Sequence, residues 1–301
     1  MSIIGTARNA CADQGAFRYQ RRRPEKTLLY QLVSKQYPDF RRQMVEECRA
    51  LPDYVQREFE DYLKCGRLEH GFLRVRCETC HEERLVAFSC KHRGFCPSCG
   101  ARRMAESSAL LVDEVFPHQP IPQWVFSFPF QLRFLFATRP VITGQVLRIV
   151  NRVITMHLVK KAGCSKTTAR TGAVTLIQRF GSALNLNIHF HMLFLDGVYV
   201  DRLDGSARFR WVSSPTTQAL TQLTQTIARR VGRYLERRGL LERDDENSYL
   251  ATDAISEDPM NQLLGHSITY RIAVGPQAGR KVFTLQTLPA CEADDYALEP
   301  R

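Results

Sequence analysis

The sequence predicts an α+β chain in two parts. A small N-terminal zinc-binding domain with helices comes first, and antiparallel hairpins set between amphipathic helices follow. Three observations predict this. Two CxxC pairs, Cys77-x2-Cys80 and Cys96-x2-Cys99, stand fifteen residues apart in a turn-rich stretch, the spacing of a four-cysteine zinc ribbon or finger. Two apolar runs, GAVTLIQRF and LNIHFHMLFL, are joined by the short connection GSALN, the pattern of an antiparallel hairpin. Long segments with apolar residues at helical spacing lie on both sides of these runs.

In chain order, residues 1–17 read as a loose tail and RYQRRRPEK, 18–26, as a basic run. LLYQLVSKQYPDFRRQMVEEC has helical spacing interrupted at Pro38, a residue with no backbone donor. PDYVQREFEDYLKC opens on a proline suited to a first helical turn and sets Val55, Phe59 and Leu63 on one stripe. The cysteine-rich stretch runs from Cys65 to Cys99. ARRMAESSALLVDEVF is then a helix ending at PHQPIP, which puts the domain boundary near residue 118. The second domain, 119–291, begins with a strand, QWVFSFPF (123–130). The long helix VITGQVLRIVNRVITMHLVKK places Val146, Ile149, Val150, Val153 and Ile154 on its core face. After the polar linker GCSKTTART come the two hairpin strands, and VYVDRLDGSARFRWV adds a second hairpin at Asp204-Gly205. TTQALTQLTQTIARRVGRYLERRGLL is amphipathic, with Leu220, Leu223, Ile227, Val231 and Leu235 inward and Arg229, Arg230, Arg233 and Arg237 largely outward. Residues 292–301 are an acidic tail, and neither repeats nor low-complexity segments occur.

Composition narrows the function. At 301 residues, 44% apolar and 24% charged, the chain is of globular rather than disordered type. Forty-two Lys+Arg against 31 Asp+Glu give +11, a balance that fits a polyanionic partner, most commonly nucleic acid. No apolar run reaches the ~18 residues of a spanning helix, and the N-terminus lacks a charged segment followed by an apolar one. The chain is therefore expected to be cytoplasmic. There, ten cysteines are not a disulfide framework, and clustered ones point to metal.

Each CxxC offers two thiolates to one ion, so Cys77, Cys80, Cys96 and Cys99 are the expected zinc ligands. Cys65, His70, His81, Cys90 and His92 lie in the same stretch and could exchange into that site or help build a second. A four-thiolate zinc has no open position, so it organises the fold and supplies no catalysis. Basic residues around it, Arg102 and Arg103 among them, suit phosphate contact, as do Arg21, Arg22 and Arg23 in the basic run and the Arg229–Arg237 face.

NIHFHMLFLDG, 187–197, poses a different question. Side chains two apart on a strand share a face. Ile188, Phe190, Met192 and Phe194 therefore form one greasy face, and Asn187, His189, His191 and Leu193 the other. The two imidazoles are either a satisfied polar pair or two thirds of a metal site. Gln178, on the neighbouring strand in the set Val174, Leu176, Gln178, Phe180, could supply a third, oxygen ligand in a suitable register. Such a site leaves positions open for substrate oxygens.

These residues carry a resemblance. Histidine–apolar–histidine on a central strand resembles the HUH superfamily of single-strand endonucleases. CETCHEERLVAFSCKHRGFCPSCGARRMA followed by QWVFSFPFQLRFLFA and LNIHFHMLFLDGVY is similar to one branch, the rolling-circle insertion-sequence transposases of the insertion sequence ninety-one family. The resemblance runs from about residue 18 to about residue 291. It implies a palm of antiparallel strands flanked by helices, with His189 and His191 holding Mg²⁺ or Mn²⁺ and Cys77, Cys80, Cys96 and Cys99 holding zinc. It also implies transposon ends in single-stranded DNA as partner and a nucleoid-associated protein, with no membrane and no small-molecule substrate. The implied chemistry is attack of a tyrosine hydroxyl on a metal-polarised phosphodiester, leaving a 5′-phosphotyrosine and a free 3′-OH.

The family's nucleophilic tyrosine sits on a helix downstream of a segment resembling HSITYRIAVGPQAGRKVFTLQTLPAC, which here is followed by EADDYALEPR. Tyr296, in that acidic tail, is not assigned, and Tyr234 and Tyr249 are expected to pack or lie at the surface. The expectation is a chain truncated before its nucleophile that binds DNA without forming a covalent link. The alternatives are a non-catalytic zinc-dependent DNA-binding fragment and a metal-dependent single-strand nuclease.

Overall fold

Thr27 starts the first helix, its hydroxyl accepting the Tyr30 N–H at 3.3 Å. In the computed structural model, which describes residues 23–92, 94–181, 185–202, 205–243, 248–250 and 258–282, that helix, α1 (Leu28–Glu46), runs straight through Pro38. The interruption expected there is overridden. A mid-helix proline costs about 3 kcal/mol, and burial on both sides of it offsets this: Tyr30, Tyr37 and Met44 are buried, and Tyr37 stacks on Phe59 of α2 (Asp53–Lys64) with ring centroids 4.4 Å apart. Pro52 is the cap of α2 rather than its first residue.

The chain forms two units, Met1–Phe116 and Pro117–Arg301. In the first, β1 (Phe72–Arg76) and β2 (Glu83–Ala87) make an antiparallel ribbon in register from Phe72↔Ala87 to Arg76↔Glu83. α3 (Pro97–Leu110) follows and passes into a π turn at Leu111–Val115. Apart from the stack on α1, the buried cluster here is Tyr30, Tyr62, Cys65, Cys96 and Cys99. So few apolar side chains leave this unit dependent on a staple.

The second unit begins with β3 (Gln123–Ser127), which stops short of Pro129 because a proline there cannot donate to a ladder. α4 (Leu132–Thr138) and α5 (Pro140–Lys161) follow, then β4 (Ala169–Arg170), β5 (Ala173–Phe180), β6 (Leu186–Phe194), β7 (Gly197–Asp201) and β8 (Ala207–Trp211). α6 (Thr217–Arg237), β9 (Leu241–Arg243), β10 (Ser248–Leu250) and α7 (Pro259–Thr269) complete the described elements. The strands form antiparallel sheets in the orders β3-β6-β5, β4-β7-β8 and β9-β10. The fold is α+β.

β6 is the axis of this unit. Its alternate residues Leu186, Ile188, Phe190, Met192 and Phe194 are all but inaccessible, and Phe128 meets Phe136 and Phe190 edge-on beneath it. α5 covers them with Val146, Val150, Val153, Ile154 and Leu158, and α6 adds Leu223, Ile227, Val231 and Leu235 to the same core. Leu220, expected inward, is 42% exposed, since it sits in the first turn of α6 and the core begins one turn later. Gly197 follows Asp196 where the chain leaves β6; a Cβ there would lie 2.4 Å from the Arg210 carbonyl oxygen, so only glycine fits. Among the described residues, no helix is long and apolar enough to cross a membrane.

Candidate metal centres

The N-terminal unit brings four thiols together, but they are not the four that the paired CxxC spacing selects. Cys65, Cys90, Cys96 and Cys99 have all their sulfurs within 4.8 Å of one another. Each arrives from a different local cause. Cys65 caps the C-terminus of α2, Cys90 follows β2, and Cys96 and Cys99 are the N-cap and first turn of α3. The measured Sγ···Sγ separations are 3.7 Å for Cys65–Cys99, 3.7 Å for Cys65–Cys96 and 3.5 Å for Cys90–Cys99. A tetrahedron with Zn–S bonds of about 2.3 Å has edges of about 3.8 Å, so the donor set fits zinc. Burial pushes the Cys65 thiol up to about 11, and it pushes Cys90 up as well. Four desolvated sulfurs this close cannot ionise together without a cation, and a divalent ion is what reconciles their burial with thiolate chemistry.

Cys77 and Cys80 are the correction. They lie at the β1–β2 turn, where Cys77 N–H donates to the Glu82 carbonyl and His81 N–H to that of Cys77, and they do not join the four-sulfur cluster. The ribbon directs them to its tip, while the cluster assembles at the base where α2, the end of β2 and α3 converge. The backbone N–H groups of Cys80 and Thr79 hold the Cys77 thiol down to about 7, below the ordinary value of about 8.5. A thiolate is therefore already half formed at neutral pH. We expect iodoacetamide to alkylate Cys77 with a rate that rises through pH 6–8 and levels off above, while Cys65, Cys90, Cys96 and Cys99 stay protected until zinc is removed. Mass spectrometry of the labelled peptides checks this, and a titration midpoint above 8 for Cys77 would contradict it.

His92 takes no part in the cluster. It bridges two carboxylates of α2, with Nδ1 3.1 Å from Glu58 and Nε2 2.8 Å from Asp61.

The histidine pair lies on the open face of β3-β6-β5. His189 pairs with Ser127 on one side and Gln178 on the other, and His191 with Val125 and Leu176. Gln178 thus stands directly beside His189 on the same face. The face set it was assigned to breaks after it, because a bulge shifts the register between Gln178 and Phe180. The two imidazoles are 4.8 Å apart, centroid to centroid. His189 Nδ1 donates to the Asn187 carbonyl at 2.7 Å, and His191 Nδ1 is hydrogen-bonded to the Gln123 side-chain amide. For His189, donation from Nδ1 is how metal-binding histidines are oriented, with Nε2 left for an ion; for His191 the contact is with the Gln123 amide nitrogen, and the same pattern needs the Gln123 amide turned to present its oxygen to Nδ1–H. The Asn187 amide oxygen on this face is buried without a partner, which suits a nearby cation or donor. The residues fit a divalent ion.

Gln123 is the residue sequence reasoning missed. It begins β3, and only the pairing Gln123↔Leu193 brings it beside His191; an alternation of QWVFS read against NIHFH in antiparallel register could have found it.

Of the basic residues, Arg23, Arg102, Arg229, Arg230, Arg233 and Arg237 are exposed. Arg103 is half-buried and donates to the Lys91 carbonyl at 2.6 Å, a tie between α3 and the loop before it. Arg21 and Arg22 lie outside the described residues, as do Tyr296 and the acidic tail.

Residues 32–128 match the family described as "Transposase zinc-binding domain" and residues 172–288 the family described as "Putative transposase". No curated protein matches the chain. Among solved structures it is similar to the conjugative relaxase TrwC in complex with oriT DNA, a metal-free structure, at 15% identity, covering 50% of this chain and 61% of that one with a TM-score of 0.29. It is also similar to TrwC complexed with a 27-mer DNA comprising the recognition hairpin and the cleavage site, at 13% identity, covering 67% and 79% with a TM-score of 0.31. The first of these matches spans about three fifths of the relaxase chain. The four-thiol cluster falls inside the first matched family segment and the histidine pair inside the second. Two separate segments of the chain thus match transposase families, the first of them a transposase zinc-binding domain.

Proposed function

We propose that this chain acts on single-stranded DNA at transposon ends, with His189 and His191 holding Mg²⁺ or Mn²⁺ and Gln178 adding an oxygen ligand. The observation that carries this reading is the pair of imidazoles side by side on an open sheet face, with His189 donating through Nδ1 to the Asn187 carbonyl and Gln178 in register beside it. When bound, the ion neutralises charge on the scissile phosphodiester oxygens. The chain's own residues do the positioning. Asn187 and Gln123 fix the imidazoles, and the exposed apolar side chains of Val125 and Leu176 flank His191 and give bases a surface to lie on. Exposed arginines such as Arg23, Arg102, Arg229 and Arg233 add to the chain's general attraction for the phosphate backbone.

Cutting of this type passes through a tyrosine–phosphate intermediate, and forming it needs a hydroxyl held in line with the leaving oxygen. The strands β3, β5 and β6 carry no tyrosine, so that hydroxyl has to come from another element, and the second reading is a DNA-binding member that polarises the phosphate and does not form the covalent link. Incubation with a single-stranded transposon-end oligonucleotide and Mn²⁺, followed by denaturing electrophoresis, separates the two. An adduct mapping to Tyr234, Tyr249, Tyr270 or Tyr296 establishes the covalent enzyme. Retention of the strand without an adduct supports the second reading, and cleavage without an adduct indicates hydrolysis by activated water.

Binding itself should be strongly salt-dependent. Each phosphate neutralised on a single strand contributes about −0.7 to the slope of log affinity against log salt, so four or more contacts give about −3 or steeper. Fluorescence anisotropy over a salt series measures it. A flat response would remove nucleic acid as the partner.

A further inference from the structure

We propose that the furrow between α5 and α6, on the side of the sheet turned away from His189 and His191, holds a second segment of single-stranded nucleic acid. The proposal rests on the DNA reading above and adds to it a site that the histidine face does not contain.

Two cavities, of about 720 and 490 Å³, lie along the seam between these helices. The first is lined by Arg148 and Arg152 of α5, Tyr234 and Arg237 of α6, and Thr175 of β5. The second is lined by Met156, His157 and Lys160 of α5 and by Gln222, Thr226 and Arg230 of α6. On α5 the contributing positions are 145, 147, 148, 149, 151, 152, 153, 156, 157, 159 and 160, and on α6 they are 219, 222, 223, 226, 230, 234 and 237. The α6 set advances in steps of three and four and lies on a single helix face, while the α5 lining is broader. Both cavities therefore open along the same face of α6, one toward each end, and together trace one furrow along the α5–α6 seam. Measured along α6 from Ala219 to Arg237, at 1.5 Å per residue, it is about 27 Å long. Thr175 fixes which side of the sheet it is on. Thr175 pairs with buried Met192, one residue along from exposed Leu176, which pairs with His191, and successive side chains on a strand point to opposite faces.

The lining is cationic and carries no acid: none of the residues around either cavity is Asp or Glu. Arg148, Arg152 and Arg230 are exposed and make no ion pair among the described residues. Burial foremost, and then the Lys161 and Lys160 ammonium groups, hold the His157 imidazole below the ordinary histidine range. Between the cations the surface mixes apolar side chains, Leu147, Ile149 and Tyr234 at one end and Met156 and Leu223 at the other, with uncharged polar ones such as Asn151, Thr175, Gln222 and Thr226. Cations spaced along a groove that also offers Tyr234, aliphatic side chains and uncharged hydrogen-bonding groups suit an unpaired strand, with phosphates against the cations and base faces and edges against the rest. A duplex keeps its bases stacked inside and would leave Tyr234 and those aliphatic side chains unused.

The test uses the full-length zinc-loaded chain and a 30-nucleotide oligo-dT carrying 4-thiothymidine. The variant R148E/R152E/R230E changes three exposed side chains, so circular dichroism and zinc content should match wild type. We expect its affinity for the oligonucleotide to fall at least tenfold and its log–log salt slope to shrink by about 2, three phosphates at about 0.7 each. Photocrosslinks in wild type and in H189A/H191A should map to peptides of α5 and α6. Unchanged affinity and slope in the arginine variant, or crosslinks confined to β3, β5 and β6, overturns the furrow and leaves the histidine-face reading standing. A variant that loses duplex binding while holding the single strand overturns it as a single-strand site. If wild type binds no oligonucleotide at all, both readings fall together.

Discussion

Replacing Cys65 or Cys90 with serine should abolish zinc binding and unfold the N-terminal unit, whereas Cys77→Ser and Cys80→Ser should leave one zinc per chain. Two ligand sets are possible from the cysteines, and these variants separate them, because Cys96 and Cys99 belong to both. The cluster's three measured sulfur separations of 3.5–3.7 Å match the edge of a zinc–thiolate tetrahedron. The expected effect is large because the unit's own core is small: among the described residues its buried hydrophobic side chains are Tyr30, Tyr37, Met44, Leu51 and Tyr62 besides Cys65, Cys96 and Cys99. For structural zinc sites the metal's apparent binding free energy, about 10–16 kcal/mol, is folding free energy. Zinc analysis of the purified variants and thermal unfolding followed by circular dichroism report the two effects independently. Loss of zinc in Cys77→Ser with retention in Cys65→Ser would reverse the assignment.

The double variant H189A/H191A should lose divalent-cation binding and, with it, any Mg²⁺- or Mn²⁺-stimulated cleavage, while keeping its fold. Both side chains are only half-buried on the open sheet face, so their removal leaves the Ile188, Phe190, Met192 and Phe194 core untouched. Charge neutralisation by a bound ion contributes several kcal/mol to phosphoryl chemistry; at 1.36 kcal/mol per decade, roughly 3–4 kcal/mol is a 10²–10³-fold fall in rate. Gln178→Ala should weaken Mn²⁺ binding by less than either histidine substitution, and Gln123→Ala should act through His191 orientation, in the range of about 10–100-fold for supporting partners of metal ligands. Manganese titration followed by electron paramagnetic resonance measures this without requiring turnover. Full Mn²⁺ affinity in H189A/H191A would remove the histidine face as a cation site.

Local pattern was sufficient wherever a single element decided the outcome. The alternation in LNIHFHMLFL shows which residues of β6 go inward and that the two histidines share the opposite face, because strand periodicity is a covalent property of the backbone. The hairpin of β5 and β6 is legible for a similar reason: two strand-like runs with a short connection can only fold back on each other. Helical spacing likewise identifies the buried stripes of α5 and α6, apart from Leu220 at the end of its helix.

What tertiary structure alone decided concerns residues brought together from different elements. Spacing pairs Cys77-Cys80 with Cys96-Cys99, yet a CxxC knuckle is indifferent to where its other two ligands come from. The β1–β2 ribbon carries Cys77 and Cys80 to its tip, while Phe59 and Tyr62 of α2 pack on Phe95 just before α3 and the Cys90 N–H donates to Cys65 Sγ, which puts Cys65 and Cys90 beside Cys96 and Cys99. Pro38 breaks the local rule for helices and is tolerated because Tyr37 and Met44 are buried on either side of it. Gln123 meets His191 across 68 residues of sequence, and Arg148 meets Tyr234 and Arg237 only because α5 and α6 pack antiparallel on one sheet. Periodicity is written in each segment; ligand sets and grooves depend on register and packing between segments, which no single segment contains.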